Sequence, residues 1–172
     1  MIDLLTVVDV QNGFVNEHTR PVVPVILKLV RRWREREGHV AFPRFVNRED
    51  GPHERWIGWT RFTEAPENAL VAELDAGEEE VFVKHGYTAF TPAFEAMVRH
   101  ESVSRLLLCG IATDGCVLKT AVDAFEREVE PVVLADACAS HAGEEVHEAG
   151  LMLIRRFIGK GQVRTVAEVV GE

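Results

Sequence analysis

The stretch from Arg105 to Lys119, RLLLCGIATDGCVLK, combines a nucleophilic residue with a turn that could activate it. An apolar run reaches Gly110, and Thr113-Asp114-Gly115 then leads into a helical pattern with Cys116 in its first turn. Backbone N–H groups in a first helical turn lack intrahelical partners, and the helix dipole adds positive potential there. Both effects favour a thiolate, so the position predicts a nucleophilic cysteine with a lowered pKa. The alternative is a small buried hydrophobic residue, since free cysteines are commonly buried.

Two charged residues end apolar runs elsewhere in the chain. Asp9 follows the run Leu4–Val8, and Lys84 follows the run Glu80–Val83. Short apolar runs without alternation are typical of strands buried on both faces of a parallel sheet. The ligand crevice of such a sheet lies outside the carboxyl ends of its strands. We therefore expect an acid, a cation and a thiol, namely Asp9, Lys84 and Cys116, to converge at one edge of the sheet.

The other patterns supply the elements that position these residues. Thr91-Pro92 is a helix start, because threonine is a good N-cap and proline is tolerated at the first helical position. Further helices are predicted after Pro21, after Cys116, over Glu144–Phe157 and at the end of the chain. Further strands are predicted at His39–Phe45, around Leu106–Leu108, at Pro131–Leu134 and at Gln162–Arg164. Alternating strands and helices form right-handed βαβ units, so we predict one α/β domain over residues 1–172.

Regular patterning fails between Val46 and Ala69, where we predict a long loop. The segment carries Trp56, Trp59 and Phe62. Long ordered loops in compact domains are often functional lids. The three aromatic residues could cover a substrate pocket, or they could simply dock the loop onto the core, since aromatic burial serves either purpose.

Four segments in this order resemble the isochorismatase-like cysteine hydrolases, a family that includes nicotinamidases, carbamoylsarcosine amidohydrolases and ureidoacrylate hydrolases. The segments are LLTVVDVQNGF, VFVKHGYTAF, GIATDGCV and VVLADACAS, and the resemblance covers nearly the whole chain. It implies a Rossmann-like three-layer α/β sandwich. In that fold a six-stranded parallel sheet has the order 3-2-1-4-5-6, with helices on both faces. It also implies a homo-oligomer, either a dimer or larger.

The resemblance assigns a catalytic role to each of the three strand-end residues. Cys116 would attack a carbonyl carbon and form a thioester, while Asp9 would move the protons and later activate water. Lys84 would keep Asp9 ionised and stabilise the thiolate. The family also has a cis peptide bond, at Ile111–Ala112 here, which would place the Ala112 and Cys116 N–H groups as an oxyanion hole.

One departure from the family bears on metal binding. Nicotinamidases carry an Asp-x-His pair just after the second strand, and the matching positions here are Phe45 and Asn47. Neither residue replaces those ligands. His53, Glu49 and Asp50 lie nearby, but their spacing matches no metal pattern. We therefore expect no metal and no other cofactor. The branch that hydrolyses isochorismate lacks the cysteine, so Cys116 favours an amidase.

The candidate substrate-binding residues lie in or beside loops at the strand ends; they are Phe14, Arg44, Trp56, Trp59, His85, Tyr87 and Phe90. Arg44 could bind a substrate carboxylate, with a surface ion pair as the alternative. Phe14 and Phe90 could clamp an apolar group, with core packing as the alternative. His85 and Tyr87 could line the pocket or be ordinary loop residues. Asp136 and His141 are interpreted as structural.

Composition limits the possible partners. The formal net charge of -9 argues against a nucleic-acid surface, which is usually basic. No segment has the unbroken apolar length of a membrane span, and the first residues do not resemble a signal peptide. The three cysteines have no CxxC spacing, so a disulfide framework is not indicated and a reducing cytoplasm fits best.

These observations favour a metal-independent cysteine amidohydrolase that acts on a small amide, ureido or carbamoyl C–N bond. Two alternatives belong to other classes. One is a catalytically silent small-molecule-binding module on the same scaffold. The other is a redox sensor built on Cys116, which lacks a nearby resolving cysteine in the sequence.

Overall fold

Six parallel strands form the centre of the computed structural model, which describes residues 2–171. The strands are β1 (Ile2–Val8), β2 (His39–Phe45), β3 (Val81–Lys84), β4 (Val103–Ile111), β5 (Glu130–Ala139) and β6 (Val163–Arg164). Their order is β3-β2-β1-β4-β5-β6, and every neighbouring pair is parallel. The predicted fold and strand order are confirmed.

Helices cover the two faces of this sheet. They are α1 (Val23–Arg34), α2 (Pro52–Ile57), α3 (Pro92–His100), α4 (Leu118–Glu126), α5 (Glu144–Ile158) and α6 (Val166–Val170). The chain passes from β1 to β2 in one direction across the sheet, and from β4 to β5 and β6 in the other direction. Because βαβ crossovers are right-handed, α1 lies on the face opposite α4 and α5. Because both faces are covered, Leu106, Leu107 and Leu108 of β4 are all fully buried.

The central strands approach each other closely at the edge where β1 and β4 end. Gly110 has φ +122, and a Cβ atom on it would lie 2.1 Å from the carbonyl oxygen of Val8. Glycine is therefore required at this position for two reasons, its backbone conformation and the missing side chain. The contact brings the residue after β1, Asp9, next to the turn after β4.

The prediction of an irregular loop over residues 47–69 is wrong in one part, because α2 forms within it. Pro52 occupies the first helical position, and Gly58, with φ 65, follows the last helical residue in the left-handed conformation. Both are ordinary helix-boundary signals. At six residues the helix is too short for hydrophobic periodicity to reveal it.

The fifth strand is longer than predicted and continues beyond Asp136. Its pairing with β4 shifts between Leu108 and Gly110, so Asp136 lies at an irregularity rather than at the strand end. A carboxylate oxygen of Asp136 accepts a hydrogen bond from the Val166 N–H at 2.8 Å, at the start of α6. The interpretation of this residue as structural agrees with that contact. Among residues 2–171, none of the helices has the length and apolarity needed to cross a membrane.

Candidate active site

A buried ion pair lies at the carboxyl edge of the sheet, directly beneath a thiol. Asp9 follows β1 and Lys84 ends β3, and both side chains are almost completely inaccessible to solvent. Lys84 Nζ lies 2.7 Å from Asp9 Oδ2 and 3.3 Å from Cys116 Sγ. The ammonium group also donates to the carbonyl oxygens of Gly86 at 2.9 Å and Tyr87 at 3.3 Å. The structure thus brings the three expected side chains together, with the lysine bridging the acid and the thiol.

The carboxylate of Asp9 is held by the neighbouring strand. Its second oxygen, Oδ1, accepts a hydrogen bond from the Phe45 N–H at 2.9 Å. The same N–H also reaches the side-chain oxygen of Gln11, whose amide nitrogen donates to the Phe45 and Asn68 carbonyls. Asp9 itself has φ 48, a left-handed conformation that costs energy for a residue with a side chain. The end of β2 therefore fixes the direction in which the acid points.

Cys116 lies in a single π-helical turn, Thr113–Val117, that precedes α4. The N–H groups of Gly115 and Val117 both donate to the Ala112 carbonyl at 3.1 Å. The Ile111–Ala112 peptide bond is cis, as the family resemblance implies. π-turns of this kind are frequent at functional sites.

Helix α5 supports the cysteine turn from behind. His147 Nδ1 and Thr113 Oγ1 share a buried hydrogen bond of 2.7 Å. Gly150 allows the closest approach, since a Cβ atom there would lie 2.8 Å from the Asp114 nitrogen. A side chain at position 150 would therefore push the turn away from the helix.

Burial and the charge of the partner act in opposite directions on the pKa values of Asp9 and Lys84. Burial raises the pKa of Asp9, although the Lys84 cation, the Cys116 thiol and the Phe45 N–H partly offset it. Burial lowers the pKa of Lys84, but the Asp9 carboxylate and Cys116 outweigh this and leave that pKa raised. The ammonium group therefore stays charged at neutral pH.

The prediction of a lowered pKa for Cys116 is wrong. Burial, the negative charge of Asp9 and a hydrogen bond to that carboxylate raise the pKa of the thiol, against the opposing effect of Lys84. The sequence indicated a helix start but gave no measure of how deeply the sulfur is buried. The resting sulfur is consequently a thiol, and a base must remove its proton when it reacts. A hydrogen bond joins this thiol to the Asp9 carboxylate.

A cavity of about 340 Å³ opens above the thiol; we call it the Cys116 cavity. Its lining residues are Phe14, Phe45, His53, Ile57, Trp59, Tyr87, Ala112, Asp114, Gly115, Cys116 and His141. Four rings form a row along one wall. Phe45 and Trp59 are 5.6 Å apart at 19°, Trp59 and Phe14 are 6.1 Å apart at 29°, and Phe14 and His141 are 5.4 Å apart at 30°. The wall is therefore largely aromatic.

Three of the predicted substrate-binding residues line this cavity, namely Phe14, Trp59 and Tyr87. Tyr87 is half exposed and stands at the mouth. Its backbone carbonyl contacts Lys84, so this residue connects the opening of the cavity to the buried ion pair.

Two residues of β2 and α2 point away from the cavity, contrary to prediction. Arg44 is adjacent to Phe45 on β2, and successive strand residues face opposite sides of a sheet. It lines a separate depression with Asp75 and Val81. Trp56 is 77% exposed beside Arg55, because the cavity-facing side of α2 carries other residues.

His85 and Phe90 also lie outside the cavity lining. His85 is exposed, and its Nδ1 lies 2.7 Å from the Val46 carbonyl oxygen, so it ties the two strand-end loops together. Phe90 is buried, packs edge-on against Phe94 at 5.4 Å and lies under the guanidinium of Arg127 at 4.6 Å. The alternative of core packing is the correct one for Phe90.

The sequence analysis missed the cavity roles of Phe45, His53, Ile57 and His141. His53 and Ile57 are four residues apart, a spacing that places both on one face of α2. The helix-boundary signals at Pro52 and Gly58 could have revealed that face. Burial lowers the pKa of His53, and the Lys84 cation lowers it further, so the imidazole is neutral at neutral pH.

The two positions that match nicotinamidase ligands have other roles here. The Asn47 amide donates to the Trp59 and Arg61 carbonyls at 2.8 and 3.0 Å, and so braces the loop after β2. The Phe45 ring lies 5.4 Å from the Lys84 ammonium. Within the described part of the chain, the one group of three ligand-type side chains with metal-like proximity is Glu144, His147 and Glu148 on α5. That group is not part of the Cys116 cavity.

Comparisons with known proteins extend over most of the chain. The family model of the isochorismatase domain matches residues 3–168. An uncharacterized isochorismatase family protein of Bacillus subtilis is 28% identical over 173 residues, which cover 92% of this chain and 88% of that protein. The crystal structure of a nicotinamidase from Bacillus subtilis superposes with a TM-score of 0.82 at 27% identity, covering 95% of this chain and 99% of the other.

A shorter match involves a protein of stated activity. A ureidoacrylate amidohydrolase of Acinetobacter baylyi is 34% identical over 92 residues, which cover 52% of this chain. The same match covers 38% of that protein, so the chain spans well under half the length of this relative.

Proposed function

The chain belongs to the isochorismatase family, and on that premise we propose that it is a metal-independent cysteine amidohydrolase. Its reaction would be cleavage of a small amide, ureido or carbamoyl C–N bond through a thioester on Cys116. Similarity to a ureidoacrylate amidohydrolase and a nicotinamidase supports the amide class. The observation that carries the proposal is the Lys84 ammonium, 2.7 Å from Asp9 and 3.3 Å from the Cys116 sulfur.

In the first half-reaction Asp9 acts as a general base. Its carboxylate takes the proton of the Cys116 thiol while the sulfur attacks the substrate carbonyl carbon. The C–S bond forms and the carbonyl π electrons move to the oxygen. When the tetrahedral intermediate collapses, the C–N bond breaks and Asp9 returns its proton to the departing nitrogen. Ammonia or an amine leaves, and a thioester remains on Cys116.

In the second half-reaction the same carboxylate activates water. Asp9 removes a proton from a water molecule that attacks the thioester carbon. The second tetrahedral intermediate collapses by breaking the C–S bond, and Asp9 transfers its proton to the departing sulfur. The acid product leaves and the resting thiol is restored. One buried base therefore serves both steps, which suits a site with a single carboxylate beside the sulfur.

Lys84 stabilises the charges that these steps require. Its cation keeps the buried Asp9 ionised before reaction and offsets negative charge on the sulfur during proton transfer. Because its ammonium also contacts two carbonyl oxygens, it is held in place throughout. We propose that the backbone N–H groups of Ala112 and Cys116, in the turn after the cis peptide bond, stabilise the negative charge that develops on the substrate oxygen.

The test is an ammonia-release screen over small carboxamides, ureides and carbamoyl compounds, with wild type and Cys116→Ala run in parallel. Turnover in wild type that disappears in Cys116→Ala is the expected result. Release of ammonia at equal rates by both proteins would rule out the thioester route. Ligand binding without turnover of any compound would favour the alternative, a catalytically silent binding module.

We further propose that the enzyme works in the cytoplasm on a small-molecule substrate, as a dimer or larger homo-oligomer. Three cysteines that form no disulfide fit a reducing compartment. Exposed apolar side chains at Met152, Leu153 and Phe157 on α5 are consistent with a self-associating surface. Light scattering after size-exclusion chromatography gives the mass, and a monomeric mass at micromolar concentration would reject the oligomer.

A further inference from the structure

The charge of the Cys116 cavity is one-sided. In the described residues its lining contains one carboxylate, on Asp114, and neither lysine nor arginine. Asp114 precedes the nucleophile by two positions in the π-turn, so its charge acts close to the point of reaction. His53, the buried imidazole of the lining, is neutral because burial and Lys84 lower its pKa. A bound anion would therefore meet the negative charge of Asp114 with no lysine or arginine of the lining to offset it.

Neither Lys84 nor Arg44 offers this cavity a free donor for a substrate carboxylate. Lys84 lies below the thiol, and its ammonium already contacts Asp9, Cys116 and the carbonyl oxygens of residues 86 and 87. An ammonium group has three protons to donate, so none is left for a substrate carboxylate. Arg44 faces the other side of β2 and lines a different depression.

We infer that the Cys116 cavity selects an uncharged or cationic amide with an apolar group, and rejects amides that carry a carboxylate. The apolar group would pack against the rings of Phe45, Trp59, Phe14 and His141, which line the cavity. The inference rests on the proposed amidase function and narrows its substrate class.

The experiment compares three compounds of one shape: benzamide, 3-(aminomethyl)benzamide and 3-carbamoylbenzoate. We expect kcat/KM for ammonia release to be at least about tenfold higher for the neutral and cationic compounds than for the anion, about 1.4 kcal/mol per tenfold. Equal or faster turnover of the carboxylate compound would overturn the inference.

A charge-neutral variant tests the cause of this selectivity. Asp114→Asn keeps the size of the side chain and removes its charge. We expect it to raise the rate of 3-carbamoylbenzoate relative to benzamide by at least about fivefold and to reduce the preference for the ammonium compound. Asp75→Asn is the matched control, an exposed aspartate outside the cavity. An unchanged ratio in Asp114→Asn would remove the aspartate from substrate selection.

A binding measurement separates this inference from the amidase proposal. Calorimetry with Cys116→Ala gives the affinity of all three compounds without chemistry. The expected order of affinity, together with no turnover by wild type, would reject the amidase but support the selectivity of the cavity. Failure of both the neutral and the cationic compound to bind would overturn the inference, whatever the enzyme hydrolyses.

Discussion

Two cysteines at the ends of neighbouring strands occupy similar settings with different neighbours. Cys116 follows β4 beneath a cavity of about 340 Å³. Cys138, near the end of β5, lines a cavity of about 300 Å³ that we call the Cys138 cavity. Its other lining residues are His18, Pro21, Val22, Val25, Ala135, Asp136, Ala139, Ser140, Gly143, Glu144 and His147. Burial raises the pKa of both thiols, that of Cys138 to about 12.

The difference lies beneath the sulfur atoms. Cys116 contacts a buried carboxylate and a buried ammonium group. The sulfur of Cys138 instead contacts backbone groups, the Leu108 carbonyl oxygen at 3.9 Å and the backbone of Gly110. The negative charge of Asp136 raises the pKa of the Cys138 thiol, and among the described residues no lysine charge offsets that effect. A thiol near a strand end and beside a cavity therefore does not by itself have a base in contact with it. The buried pair of Asp9 and Lys84 distinguishes the two.

The largest difference in kcat should appear when each of the two cysteines is replaced by alanine. Cys116→Ala should lower kcat by at least about 1,000-fold, because it removes the nucleophile itself. Cys138→Ala should leave kcat within about twofold. Steady-state ammonia release measures both, and thermal denaturation checks that each variant is folded. Comparable losses in the two variants would mean that the neighbours beneath Cys116 do not set it apart.

Replacing the cation should have the next largest effect. Lys84→Met keeps most of the stem's packing but leaves the buried Asp9 carboxylate unpaired. We expect kcat to fall at least about tenfold and stability to fall by about 3–5 kcal/mol. Lys119→Met, which removes a half-exposed lysine paired with Asp123 on α4, is the matched control and should change kcat less than twofold.

The pH profile separates a role in chemistry from a role in stability. The carboxylate must be ionised to accept the thiol proton, so kcat/KM falls as pH drops through the pKa of Asp9. The Lys84 cation lowers that pKa, and its loss should move the acidic limb to higher pH. The double variant Asp9→Asn/Lys84→Met should recover stability without activity. A Lys84→Met enzyme with normal turnover per folded molecule and an unshifted acidic limb would exclude lysine from the mechanism.

Alkylation should distinguish the two thiols by a smaller factor. Both are protonated at neutral pH, but Cys116 has a carboxylate to accept its proton and a cation to stabilise the thiolate. Iodoacetamide should therefore modify Cys116 at least about fivefold faster than Cys138, as read from peptide mass spectrometry. In Lys84→Met the ratio should decrease. Equal rates in wild type would show that the buried pair does not activate the sulfur.

Metal removal should produce the smallest effect. The cluster of Glu144, His147 and Glu148 lies beside the Cys138 cavity, which shares two of these residues. Exhaustive dialysis against a chelator should leave turnover within about twofold, because Phe45 and Asn47 occupy the positions that match the nicotinamidase ligands. Loss of activity on dialysis, restored by adding back one equivalent of zinc, would contradict this prediction.

The sequence predicted those reactive side chains that stand at a strand end or in a glycine-bounded turn. Apolar runs ending at Asp9 and Lys84, and a glycine-bounded turn before Cys116, predicted the edge at which all three meet. The direction of side chains was harder to predict. Arg44 and Phe45 are neighbours, but only the burial of the completed sheet decides which of them faces the cavity. The pKa of Cys116 likewise depends on burial by segments distant in sequence.

The position of α2 has a consequence for how this protein could change over evolution. The groups proposed to break and form bonds are locked among buried strands, where Gly110 and Gly150 tolerate no side chain without displacing backbone. The mouth of the cavity, in contrast, is built from Ile57 and Tyr87, both more than half exposed. Substitutions there alter which molecules enter without disturbing the buried charges. Substrate range can therefore diverge rapidly among descendants of one ancestral hydrolase, and mutant libraries confined to the mouth should yield mostly folded, active proteins.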